Sequence, residues 1–194
     1  MTDRLTPEQR HRVMSRIHGK GTKPELKVRQ WLWRHGYRYR LNVKSVPGKP
    51  DIVMRRYRTA IFVNGCFWHG HFVQLGVRSG ELGVDALRHY EERSHPDVEN
   101  SKCCKIPQTN REFWVNKIKR NQERDQQNYQ VLHDNGWQVI VVWECQLTPK
   151  RIEETMLRVE LMLNEHFLAL HQPKVVPYEQ EHDLPMAAEN QLDY

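Results

Sequence analysis

The stretch IFVNGCFWHGHF, Ile61 to Phe72, sets a run of apolar strand formers directly against Asn64-Gly65 and follows it with Cys66, Phe67, Trp68, His69 and His71. A strand that ends in such a turn can serve a metal site, an aromatic wedge or a general base. It can also be a plain hairpin that happens to carry histidines. Working outward, TAIFVN and DIVM read as two strands joined tightly through Arg55 to Arg58. VPGKP before them is a turn, and YRYRLNV alternates as a third strand. Far downstream, WQVIVVWEC is nearly all apolar, the pattern of a strand covered on both faces.

Helix signals punctuate these strands. Thr6-Pro7-Glu8-Gln9 opens a short basic helix, residues 7–17, which stops at HGKGT. Thr22-Lys-Pro24-Glu25 opens a second helix with Val28, Trp31 and Leu32 on one face, ended by Gly36. A capping box at Thr109 to Glu112 predicts a long helix running to His133, and Thr148-Pro149 starts a last one through about His166. Residues 72–102 are polar and irregular apart from DALRHYEER, an insertion of the kind that is functional or mobile. From Pro173 to Tyr194 the chain is acidic and Pro-containing, and we expect it to be disordered. The order αα-βββ-α-β-α implies an α/β fold, a mixed central sheet flanked by helices.

Composition limits the function classes. With 194 residues, 38% hydrophobic and 28% charged, the chain suits a soluble globular protein with one proper core. Thirty Lys+Arg against 24 Asp+Glu, a net charge of +6, permits a polyanionic partner. No apolar run reaches the ~18 residues of a membrane span, and MTDRLTPEQRHR lacks signal-peptide character, so a cytoplasmic location is expected. In that reducing compartment Cys66, Cys103, Cys104 and Cys145 read as thiols or metal ligands rather than disulfides.

The candidate chemistry falls into three groups. Asp51 opens a strand after a glycine-containing turn, where a carboxylate can hold a divalent cation within reach of a phosphate, or can simply finish the turn. The Asp/Glu-x-Lys that commonly follows on the next strand of Mg²⁺-dependent nucleases is missing from YRTAIFVNG. Glu25 is the capping partner of Thr22 and a possible outer ligand. Asp125 shares a helical face with Trp114, Ile118, Asn121, Tyr129 and Leu132, so a carboxylate in an apolar stripe needs a partner: Arg, His or a hydrated metal. Cys66, His71, Cys103 or Cys104, and Cys145 form a zinc-type donor set. Phe67 and Trp68 cannot both point inward, and an exposed ring beside basic residues is suited to stacking on bases. His69 lies between the two metal neighbourhoods, placed to take a proton from water near Asp51.

Taken together, PGKPDIV, IFVNGCFWHGH, IPQTNREFWVNKIKRNQERD and GWQVIVVWECQL resemble the very-short-patch repair endonucleases, which nick one strand at T:G mismatches. The likeness spans most of residues 10 to 148 outside the insertion, and GCFWHGH paired with VWEC is its most specific part. The resemblance implies a single endonuclease domain over residues 1–170 of the restriction-endonuclease-like class, stiffened by a structural zinc. It implies that Asp51 and the backbone carbonyl of Val63 ligate Mg²⁺, that His69 activates water, and that Glu25 and Asp125 hold metal-bound waters. Cys66, His71, one of Cys103/Cys104, and Cys145 would bind the zinc. Phe67, Trp68 and Trp114 would enter the duplex from the major groove beside the mismatch, and Met14 from the minor groove. The implied partner is double-stranded DNA carrying the T:G lesion left by 5-methylcytosine deamination. The implied state is a monomer in the nucleoid, followed by a repair polymerase and ligase.

Two features depart from the family pattern. Asn64 stands where members commonly carry a histidine near the scissile phosphate, and an amide hydrogen-bonds without titrating. The third zinc ligand usually follows His71 at once, whereas here about thirty residues intervene, a loop whose closure costs little extra free energy. The sequence leaves open a double-strand restriction-type endonuclease, and a zinc-containing DNA-binding protein without catalysis.

Overall fold

The computed structural model describes residues 6–15, 20–71 and 103–172. The expected end of the first helix at 16–17, the insertion 72–102 and the tail 173–194 lie outside the described residues. The elements are α1 (Pro7–Ser15), α2 (Lys23–Arg34), β1 (Arg40–Leu41), β2 (Ile52–Met54), β3 (Thr59–Asn64), α3 (Arg111–Asp134), β4 (Gln138–Trp143) and α4 (Ile152–His171). Short 3₁₀ turns occupy Arg55–Tyr57 and Glu144–Leu147.

The sheet runs β1-β2-β3-β4, with β1/β2 and β2/β3 antiparallel and β3/β4 parallel. This is the mixed sheet that the element order predicts. The hairpin between β2 and β3 turns through Arg58, whose φ of 48° is left-handed. Its guanidinium donates to the Asn135 and Gly136 carbonyls at 2.7 and 2.9 Å, so a cation caps the C-terminal end of α3.

Alternation along β3 and β4 sorts their side chains to two faces. Ile61, Ile140 and Val142 join Val28 and Leu32 of α2 and Met156, Val159 and Leu163 of α4 in one core. Ala60, Phe62, Val139 and Val141 pack instead under Tyr129 and Leu132 of α3. The Val28/Leu32 and Met156/Val159 stripes therefore face the core as their spacing predicts.

Three boundaries differ from expectation. YRYRLNV keeps only Arg40–Leu41 as strand, because Asn42 turns left-handed at φ 46° and the Tyr39 hydroxyl donates to the Arg29 carbonyl. The long helix starts at Arg111 without a side-chain cap: Asn110, at φ 53°, takes the boundary that Thr109 was expected to hold. The Thr148 carbonyl accepts from the Arg151 and Ile152 N–H groups in a turn, so α4 begins at Ile152. It continues to His171, held at that end by Phe167, whose ring lies 5.2 Å from Tyr57.

Candidate active site and metal centre

Register decides what meets beyond the strand ends. Asn64 pairs with Trp143 across the parallel β3/β4 ladder. Cys66 and Cys145 each follow two residues later, so both chains deliver a thiol at the same level, at the carboxyl ends of parallel strands. Cys103 arrives from the far side of the insertion. The sulfurs of Cys66, Cys103 and Cys145 lie 3.6, 3.3 and 3.4 Å from one atom, His71 Nδ1.

All four donor atoms fall within 4.8 Å of one another. A tetrahedral ion with bonds of about 2.3 Å to sulfur and 2.0 Å to nitrogen has S···N edges of about 3.5 Å. The donor set thus has the size and chemistry of a closed structural metal site. His71 is oriented by stacking on Trp143, 4.0 Å away with the ring planes nearly parallel. Without a cation, the neighbouring Cys145 thiol and burial both push the Cys66 thiol up, so crowding three thiolates here needs positive charge. Cys104 lies outside this group, its sulfur 4.0 Å from the Phe67 carbonyl.

The turn Gly65–His71 packs Phe67 and Trp68 on Trp114 and sets Gly70 against Ile118. Hydrogen bonds close it: His71 N–H to the Cys66 carbonyl at 2.9 Å and His69 N–H to the Gly65 carbonyl at 3.2 Å. Helix α3 adds two amide donors, Asn121 to the Trp68 carbonyl at 2.7 Å and Gln122 to the Gly70 carbonyl at 3.1 Å. Gly70, at φ +64°, sits so close to α3 that a Cβ would lie 2.4 Å from Ile118 Cγ2.

Asp51 precedes β2, and His69 belongs to this turn. Val63 N–H donates to Asp51 Oδ2 at 2.8 Å. Burial first, and then the charge of Glu25, push the Asp51 carboxyl up to about 6, against the Val63 hydrogen bond and His69, which hold it down. Asp51 therefore feels both groups that the sequence assigned to its neighbourhood. Two carboxylates coupled this way fit a divalent cation, which relieves their repulsion.

Glu25 is buried and accepts from Thr22 N–H at 3.3 Å, as a capping-box residue does, and also from Gly21 N–H at 2.8 Å and the Thr22 hydroxyl at 2.9 Å. His69 Nδ1 pairs with Asp125 Oδ2. A carboxylate only accepts, so Nδ1 carries the hydrogen and Nε2 is left as the basic nitrogen. Asp125 Oδ1 accepts from Arg124 Nη2 at 2.9 Å. The partner that its apolar stripe required is thus both an Arg and a His.

Phe67 lies 5.1 Å from both Trp68 and Trp114, edge-on, and Trp68 lies 6.0 Å from Trp114. All three rings are half-buried, so neither Phe67 nor Trp68 is a core residue and neither stands alone. Asn64 is buried, with Nδ2 donating to the Tyr129 hydroxyl at 3.0 Å. Strand alternation turns it to the α3 face, where its amide ties β3 to the helix. Met14 lies on α1, and its side chain is outside the described residues.

The sequence model for DNA mismatch endonuclease Vsr matches residues 2–75. Type II nicking enzyme V.NmeAIP of Neisseria meningitidis serogroup A is 41% identical over 152 residues, 78% of this chain and 89% of that protein. Type II nicking enzyme V.XorIIP of Xanthomonas oryzae pv. oryzae is 39% identical over 158 residues, 81% of this chain and 96% of its own. DNA mismatch endonuclease Vsr of Escherichia coli is 33% identical over 147 residues, covering 76% of each. The chain belongs to the Vsr family of DNA endonucleases.

Within the Vsr framework, four residues of this site have roles that the sequence reading did not assign. Asn121 and Gln122 hold the turn, Trp143 orients His71, and Arg124 completes the Asp125 pair. Asn121 was already on the recognised α3 face. Arg124 is the chain neighbour of Asp125, whereas the Gln122 and Trp143 contacts depend on tertiary geometry that no local pattern encodes.

Proposed function

We propose that this Vsr-family endonuclease nicks one strand of duplex DNA beside a T:G mismatch, in a Mg²⁺-dependent hydrolysis. The observation that carries the reading is that one seven-residue turn bears Phe67, Trp68 and His69, whose Nδ1 is held by Asp125. A wedge and a base on one turn link the detection of a weak step to cleavage next to it.

Asp51 and the Val63 carbonyl would hold the Mg²⁺, with Glu25 close enough to add negative charge. When bound, the ion neutralises charge developing on the phosphate and acidifies water. His69 Nε2 takes the proton of the attacking water, and Asp125 stabilises the imidazolium that forms. The water oxygen bonds to phosphorus as one bridging P–O bond of that strand breaks. Phe67, Trp68 and Trp114 insert at the mismatch, where unstacking is least costly, while Met14 approaches from the other groove.

Zn²⁺ on Cys66, His71, Cys103 and Cys145 is the structural ion in this reading, fixing the turn by its first and last thirds. The frame is a restriction-endonuclease-like domain over residues 1–170, cytoplasmic and monomeric, with Asn64 acting from inside the sheet. Among the described residues no helix is long and apolar enough to cross a membrane.

The test is a labelled-strand assay on duplexes carrying T:G, each other mismatch, and full pairing, with and without Mg²⁺. We expect a single-strand nick at T:G that Asp51→Ala abolishes. Equal nicking by wild type and Asp51→Ala removes Asp51 from the mechanism. Cleavage of both strands of a paired duplex selects a restriction-type enzyme instead.

A further inference from the structure

Phe113 is the outermost of the rings gathered at this turn. It is 59% exposed, and its ring meets Trp114 edge-on at 5.2 Å. Successive helical residues project about 100° apart. As Trp114 turns in towards Phe67 and Trp68, Phe113 is therefore carried out to solvent. One exposed Phe on a protein surface is ordinary. This one is contiguous with three other rings and stands on the first turn of α3, whose N-terminal end is electropositive. Lys117 and Arg120, four and seven residues on, share its face and are exposed. A planar apolar surface at the head of a cationic stripe matches a base with its flanking phosphates, and suits an apolar protein partner poorly.

We propose that Phe113 is a specificity-determining fourth ring of the DNA contact, covering a base at the disrupted step that Phe67, Trp68 and Trp114 enter. The proposal rests on the T:G reading above. Phe113 reaches the duplex from outside the cluster, so its π face is gained only where a base has left its stack. On a fully paired duplex the ring stays in water and adds nothing. It therefore raises preference for the mismatch without raising affinity for DNA at large.

The experiment measures equilibrium binding of the full chain to T:G and T:A duplexes that carry 2-aminopurine next to the variable pair. Wild type, F113A, F113L and F113Y are compared. Stacking of one base is worth enough that F113A should lose about 10-fold in T:G over T:A preference, with T:A affinity kept within about twofold. The 2-aminopurine signal at T:G should shift, F113L should resemble F113A, and F113Y should retain the wild-type preference. Wild-type preference in F113A or F113L overturns the proposal while leaving the T:G reading intact. Equal loss on both duplexes also overturns it, since that marks a damaged helix. Absence of preference in the wild type overturns the T:G reading and the proposal with it.

Discussion

On the face of the sheet covered by α2 and α4, Ile61, Ile140, Leu32, Met156 and Leu163 are all fully enclosed in an apolar cluster. On the α3 face the same strands begin alike, with Ala60, Phe62, Val139 and Val141 under Leu132. Towards the carboxyl ends of β3 and β4 that apolar packing stops. Asn64 bonds to Tyr129, His71 stacks on Trp143, and Asp125 takes His69 and Arg124. The first face is stabilised by area removed from water, which tolerates no gap but asks for no direction. The second is stabilised by directional contacts, each of which also aims a functional group. The site lies where the sheet exchanges one kind of stabilisation for the other.

The largest effect that separates the two faces should come from His69→Ala. Loss of a positioned general base costs about 10²- to 10⁴-fold in rate. Single-turnover nicking should show that drop with a melting temperature close to wild type. A variant that loses fold and activity in parallel would mean that His69 belongs with the structural residues. The mirror experiment is Met156→Ala. It should cost about 2–5 kcal/mol of unfolding free energy by leaving a cavity. Bound zinc per folded molecule, by elemental analysis, should be unchanged. If this truncation releases metal, the faces are not independent.

Gly70→Ala probes the boundary itself. A left-handed φ of +64° and a Cβ 2.4 Å from Ile118 together should cost about 2–4 kcal/mol. The strain falls on the turn that carries His69 and the rings. We therefore expect nicking, measured per folded molecule, to fall far more than in Met156→Ala. Equal activity per folded molecule in the two variants would show that the turn adapts without consequence.

The packed face was the more legible in sequence. Periodicity placed Val28, Leu32, Met156 and Val159, and an apolar run marked β4 as covered on both sides, because burial leaves its trace in composition. At the site, local signals gave the members and not the pairings. Cys103 and Cys104 are equivalent neighbours in sequence, and only the fold sets Cys103 beside His71. Asp125 announced itself as a carboxylate on an apolar stripe, yet its choice of His69 depends on a turn 56 residues earlier. Asn64 shows the same limit: alternation that turns it inward matters only once α3 supplies Tyr129. The helix starts missed at Arg111 and Ile152 were lost to single backbone choices, a left-handed Asn110 and a turn at Thr148, which spacing does not reveal.

The smallest predicted effect sharpens the comparison through pH. The Asp51 carboxyl is raised from 3.8 to about 6, so between those values the folded chain binds more protons than the unfolded one. Stability of the metal-free protein contributed by this group must then fall as pH rises through that window. Two pH units at 1.36 kcal/mol each set a ceiling of about 3 kcal/mol, reached above pH 6 and absent below 3.8. Asp51→Asn should therefore unfold at higher denaturant than wild type at pH 8, and equally near pH 3.5, in urea titrations with chelator present. Added Mg²⁺ should close the gap at pH 8 by stabilising wild type alone. A core residue on the packed face shows neither dependence. If Asp51→Asn is less stable than wild type at pH 8, then Asp51 is held by its hydrogen bond to Val63 more than it is strained by burial, and the carboxylate belongs to the frame rather than to the site.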